Sequence, residues 1–183
     1  MSEELIIRHC SPTLAGLKTG NLFSCTFAAE EELRRNICAL NKKLVPKGIR
    51  VLPLRLEGNR ALIYVYRVSG LKRDLQDSEA REILLAAGYR PEGAEQCVRH
   101  LMQRLRAGEG FPHEIGLFLS YPVEDVRGFM ENRACGHKCV GCWKVYGDVD
   151  AAKKCFARYE KCERVYRRCW EEGRSIEQLT VAG

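Results

Sequence analysis

The chain predicts an α+β fold, with a single mixed β-sheet of about five strands packed with helices and a long C-terminal helix. Two observations carry this. Short apolar blocks bounded by Gly, Pro and Asn fall at 21–27, 50–56, 61–68, 115–119 and 143–146, with the lengths and punctuation of strands. Helical spacing of apolar residues marks 30–44, 92–107 and 148–172, and these stretches do not alternate strictly with the strands.

Taken in order, Glu3–Arg8 reads as a short helix. Ser11-Pro12 reads as an N-cap and first helical residue of a further turn to Lys18, ended by Gly20. A first strand is expected over 21–27. Over 30–44, Leu33, Ile37, Leu40 and Leu44 form one helical stripe, stopped by Pro46 and Gly48. Pro53 places the 50–56 strand at a sheet edge, Gly58-Asn59 suits a two-residue hairpin turn, and the doubly apolar 61–68 strand should be central. Helices follow at 78–87 and 92–107, the second with Ala94, Cys97, Val98, Leu101 and Leu105 on one stripe. A strand at 115–119 leads into a helix from Pro122 to about Asn132, with Glu124 and Asp125 in its first turn. After a cysteine-rich loop and a short strand, Asp148 caps the long helix and Gly173 ends it. Ser175-x-x-Gln178 is a capping box for a last short helix.

The chain has 183 residues, 45% apolar and 30% charged, which is enough for one core and predicts a single domain over 1–183, with the helical part at 148–180 as a candidate subdomain. No apolar run approaches the roughly 18 residues of a membrane span, and the acidic N-terminus lacks the basic region of a signal peptide. No membrane partner and a cytoplasmic location are therefore expected. Ten cysteines in that setting point to free thiols, metal ligands or redox chemistry rather than disulfides.

The densest chemistry lies in the loop Arg133-Ala-Cys-Gly-His-Lys-Cys-Val-Gly-Cys142. Thiolates and imidazole are ligands of zinc and iron–sulfur sites, so Cys135, His137, Cys139 and Cys142 are candidate ligands, with a further one from Cys162 or Cys10. The same cysteine spacing serves radical-SAM clusters, but those sit early in long barrel chains, and about 40 residues follow it here. Cys155, Cys162 and Cys169 are seven residues apart, so they share one helix face and are expected to face the core with Tyr159 and Tyr166.

A candidate small-ligand pocket combines His9, Cys10, Lys18 and Asn21 with His113 and Glu114. The helix start at Pro122 offers free N–H groups to an anion. Side chains of strand neighbours point to opposite faces, so His113 and Glu114 are not expected to act as a pair. Two rival classes stand beside metal or ligand binding. One is a thiol-dependent redox or transfer enzyme using Cys139 or Cys10. The other is a nucleic-acid or protein-binding module using the basic C-terminal helix. Residues 133–174 carry eleven Lys/Arg and six Asp/Glu of a chain with net charge +6. Arg158, Lys161, Arg164, Arg167 and Arg168 are spread around that helix rather than along one face, so tight nucleic-acid binding is not expected. No motif names a reaction, which leaves enzyme against binding protein, substrate and oligomeric state open.

The stretches His113-Glu-Ile-Gly-Leu-Phe-Leu-Ser-Tyr-Pro122 and Trp143-Lys-Val-Tyr-Gly-Asp148, with His9-Cys-Ser-Pro-Thr-Leu-Ala-Gly-Leu-Lys18 and Asn21-Leu-Phe23, resemble a domain-of-unknown-function family of clostridia-like anaerobic bacteria. The resemblance covers nearly the whole chain. It implies an anaerobic host, a cytoplasmic setting and a cysteine near positions 139 and 162, and it implies no reaction.

Overall fold

Strands β1 (Gly20–Thr26), β2 (Ile49–Glu57) and β3 (Arg60–Arg67) pair antiparallel in the order β1-β3-β2, so the doubly apolar strand is central and the proline-bearing strand is an edge. This computed structural model describes residues 1–108, 110–132 and 135–183. Gly58, with φ 55°, takes the first central position of the two-residue turn joining Glu57 to its register partner Arg60. The register slips between Pro53 and Arg55, a bulge where the proline has no N–H for the ladder. The edge is further covered by Asn41, whose amide exchanges two 2.9 Å hydrogen bonds with the backbone of Val51.

The chain forms two compact units, residues Met1–Gly70 with Lys161–Gly183, and residues Leu71–Glu160. In the first, helices α1 (Glu3–Leu14) and α2 (Glu30–Leu44) pack on one face of the sheet. The predicted stripe Leu33, Ile37, Leu40 and Leu44 is buried there with Ile6, Cys10, Leu14, Ile63 and Val65. Arg67 is buried, and its guanidinium donates to the carbonyls of Thr13 at 2.7 Å, Leu14 at 2.6 Å and Val181 at 2.8 Å. One planar cation thus satisfies orphan carbonyls at the end of α1 and holds the C-terminal tail.

Residues 1–18 differ from the two-piece expectation. One helix runs through Pro12, and the Ser11 hydroxyl donates back to the Ile7 carbonyl rather than capping a new helix. Gly16, with φ 73°, ends it.

In the second unit are α4 (Ser78–Ala86), α5 (Ala94–Ala107), α6 (Ile115–Phe118), α7 (Val123–Glu131) and the ribbon β4 (Cys139–Val140) with β5 (Lys144–Val145). Helix α3 (Val68–Asp74) and the long α8 (Val149–Glu171) each contain a boundary between units. Two expectations are corrected here. The expected strand at 115–119 is instead a short helix over Ile115–Phe118 followed by a turn; a short apolar run buried on all sides reads the same in either conformation. The α+β class holds, but in place of one mixed five-stranded sheet the described residues form a three-stranded and a two-stranded sheet, both antiparallel.

Asp148 caps α8 by accepting from Asp150 N and Ala151 N. Ser175 and Gln178 exchange the two reciprocal bonds of a capping box, although it opens a turn rather than a regular helix. Cys155 and Cys169 are half-buried and Cys162 is buried, as their seven-residue period requires. Cys155 packs on the Trp143 cluster of the second unit and Cys169 on the core of the first. Among the described residues no helix is long and apolar enough to cross a membrane.

Candidate functional site

The second unit is organised around Asp125, a buried carboxylate in the first turn of α7. Its Oδ2 accepts the indole N–H of Trp143 at 2.6 Å, and its Oδ1 accepts the backbone N–H of Tyr146 at 2.7 Å and of Gly147 at 2.8 Å. These bonds fasten the 143–148 stretch to α7, with the charge of the carboxylate strengthening each. Packing around them admits only glycine. A Cβ on Gly128 would meet the Tyr146 ring at 2.5 Å, and one on Gly141 would overlap the Phe156 ring. Trp143 stacks on Tyr121 at 4.9 Å and meets Phe156 edge-on at 4.6 Å. The Tyr121 hydroxyl donates to the Cys142 carbonyl at 3.2 Å. Burial, and then the neighbouring Cys142, push the Tyr121 hydroxyl up to about 12, so it remains a donor at neutral pH.

This framework encloses a cavity of about 370 Å³. Its floor is Ile115, Gly116, Val126 and Trp143, and the exposed Phe111 and Val140 stand at its mouth. A Cβ on Gly116 would come within 2.7 Å of Val126, so this glycine lets α6 and α7 approach behind the cavity. Polar groups are few. His113 lies edge-on to Phe129 at 4.9 Å, and the Lys144 ammonium sits 5.8 Å from the centroid of the same ring. Asp125 lines the cavity, but its oxygens are occupied by three donors, which makes it an anchor rather than a general base.

Glu114 is buried away from His113, accepting the Tyr89 hydroxyl at 2.8 Å and pairing with Arg104 at 2.8 Å. The two neighbours serve different surroundings, and they lie in a turn rather than on a strand, so strand alternation is not the reason. In the first unit, His9 stacks on Phe23 at 4.8 Å, and burial followed by Arg8 lowers its pKa. Asn21 accepts the Thr13 hydroxyl at 2.7 Å, and Lys18 is buried. Cys10 is fully buried in the core. Its thiol is pushed far up by that burial, the reverse of what a nucleophilic thiol requires.

Of the thiol loop, Arg133 and Ala134 lie outside the described residues. Cys135 and Cys142 are exposed, and Cys139 is half-buried against the Trp143 cluster. The His137 Nδ1 and the Tyr146 hydroxyl are shielded from solvent and, among the described residues, lack hydrogen-bond partners. Their rings meet edge-on at 6.5 Å. Cys162 belongs to the first unit, and burial, then Glu163, push its thiol up to about 11. Among the described residues no three His, Cys, Asp or Glu side chains are grouped so as to hold a metal ion.

The residues that sequence reasoning missed are Phe111, Val126, Phe129 and Trp143 as cavity walls, and Asp125 as their anchor. Asp125 had a visible reason for its place, the helix dipole, and that reason hid its longer-range one. The family model described as Protein of unknown function (DUF3793) matches residues 6–180, and the chain belongs to that family. No match was found among curated proteins or among solved structures.

Proposed function

We propose that the second unit binds a small molecule with a flat, apolar body in the cavity framed by Trp143, Val126 and Phe129. The observation that carries this reading is convergence. Residues of the 113–122 and 143–148 stretches, distant in sequence, line one concave space together with Val140 and Gly141 of the thiol loop. Its volume falls in the roughly 300–1,000 Å³ range of small-molecule sites, and its wall is mostly apolar with a few polar groups, the usual division between affinity and orientation. The His113 imidazole and the Lys144 ammonium would meet any polar end of the ligand. Small-ligand binding beside the cysteine loop is thus favoured over metal binding within it, because the loop supplies a wall while, among the described residues, its thiols and His137 are not grouped as a donor set.

The test uses 8-anilinonaphthalene-1-sulfonate as the probe and Trp143 as the reporter, in a Trp170→Phe background. Saturable quenching with one site per chain is expected. Val140 is 62% exposed at the mouth, so Val140→Glu should leave the fold intact and, by repelling the probe's sulfonate and making the mouth polar, weaken binding by about tenfold, the loss of roughly 1.4 kcal/mol. Unsaturable binding, or equal affinity in Val140→Glu, would exclude the cavity as the site.

A further inference from the structure

A second concavity of about 390 Å³ lies between α5 and the turn that precedes it, and it differs in chemistry from the apolar cavity. Gln96, Arg99, His100 and Gln103 project from α5 at i, i+3, i+4 and i+7, on the face opposite its buried stripe of Cys97, Val98, Leu101 and Leu105. Arg90 and Glu92 face them from the turn. Among the described residues neither the Arg90 nor the Arg99 side chain has a carboxylate partner. Two guanidiniums and an imidazole therefore share one polar space with a single carboxylate, Glu92.

The space is held open by its surroundings. Arg104 donates to the Ala87 carbonyl at 2.9 Å, and Arg81 donates to the Pro91 carbonyl at 3.0 Å, so the turn is pinned at both ends. His100 packs on Tyr89 at 4.3 Å, and the Tyr89 hydroxyl is fixed in turn by the buried Glu114. The turn backbone and the His100 ring are thus fixed, while the exposed Arg90 and Arg99 side chains must be ordered when a ligand binds.

We infer that this cavity binds a hydroxylated phosphomonoester of sugar-phosphate size. The guanidiniums of Arg90 and Arg99 would take the phosphate, for which their planar donor forks are suited. Glu92, Gln96 and Gln103 would take the hydroxyls. The inference is independent of the apolar cavity and stands or falls without it.

The test is calorimetric titration of the intact protein with ribose 5-phosphate, inorganic phosphate and ribose. Saturable binding of ribose 5-phosphate is expected, with weaker binding of phosphate and none of ribose. Arg90→Gln and Arg99→Gln should each weaken ribose 5-phosphate by about tenfold or more, since each removes a charge-assisted contact. Both side chains are exposed, so far-UV circular dichroism should be unchanged. Arg106→Gln, on the same helix but outside the cavity, should change binding less than about twofold. Absence of binding up to about 10 mM, a weakness beyond ordinary ligand affinities, would overturn the inference. So would full binding in the Arg90→Gln/Arg99→Gln double variant, equal binding of ribose, or a preference for a short RNA over the sugar phosphate.

Discussion

Replacing Asp125 by Asn tests whether one carboxylate organises the second unit. The change preserves shape but not hydrogen-bond polarity. The asparagine oxygen can still face the N–H groups of Tyr146 and Gly147, now without charge assistance. Its NH2 must then face the Trp143 indole N–H, placing donor against donor where 2.6 Å now separates donor from acceptor. A hydrogen bond to a charged group is worth roughly 1.5–3 kcal/mol, and a buried donor left unsatisfied costs roughly 1–3 kcal/mol. The two remaining bonds weaken by part of their value, but they are only part-buried and water can compensate. A loss of about 2–4 kcal/mol follows, a substantial share of a total stability of about 5–15 kcal/mol. At roughly 2–4 °C per kcal/mol for a chain of this length, the midpoint should fall by about 5–15 °C.

The assay is thermal unfolding followed by near-ultraviolet circular dichroism, which reports the Trp143 environment. Trp143→Phe removes the opposed donor, so a double-mutant cycle isolates that contact. The combined Asp125→Asn/Trp143→Phe variant should be more stable than the sum of the single losses by about 1–2 kcal/mol. If Asp125→Asn lies within about 0.5 kcal/mol of the parent, the size of an ordinary surface change, the carboxylate is not the anchor described.

Three further outcomes follow from other contacts. Arg67→Met should destabilise the first unit by about 3 kcal/mol and raise hydrogen exchange near Val181, and Arg67→Lys should not rescue it, because a point charge cannot span the three carbonyls. Gly128→Ala should destabilise although it lies in a helix, since the gain in helix propensity of about 1 kcal/mol is outweighed by roughly 1–3 kcal/mol of overpacking against Tyr146; a raised urea midpoint would refute it. Iodoacetamide footprinting near neutral pH should label Cys38, Cys135 and Cys142 first and leave Cys10 and Cys162 until unfolding. For Cys162 the ordinary value of 9.0 rises to about 11 on folding, so the unfolded thiol releases its proton first as pH increases. Its contribution to stability is complete below pH 9 and lost between about 9 and 11, and Cys162→Ala should flatten the decline in that window.

The sequence made the first unit far more legible than the second, and the two are held together differently. In the first, the stripe Leu33, Ile37, Leu40 and Leu44 meets a sheet whose own alternation is explicit. Pro53 marks the edge, and Gly58-Asn59 marks the turn. Periodicity reports such structure because backbone ladders and apolar faces repeat. The structure differs there at Pro12, where the helix runs on through the proline and the Ser11 hydroxyl turns back to the Ile7 carbonyl. In the second unit the residues that decide the structure do not repeat. Gly116 makes room for Val126, Gly128 for Tyr146 and Gly141 for Phe156, and each is a contact between stretches distant in sequence. A short buried run such as 115–118 carries no period to distinguish strand from helix.

Buried carboxylates take over in the second unit much of what the sheet ladder does in the first. Asp125 joins α7 to the ribbon, and Glu114 joins Tyr89 to Arg104 and, through Arg104, to the Ala87 carbonyl. A buried ion pair is a poor source of net stability, since desolvation offsets most of its attraction. What it supplies is position. Loss of either partner leaves the other unsatisfied, so the arrangement tolerates little displacement. Both carboxylates support a concave surface, Asp125 in the wall of the apolar cavity and Glu114 behind the Tyr89 ring. Asp125 fixes Trp143 at the apolar cavity, and Glu114 fixes the Tyr89 ring on which His100 of the polar cavity rests. If the two spaces bind ligands as proposed, these unforgiving contacts are what hold their walls in place.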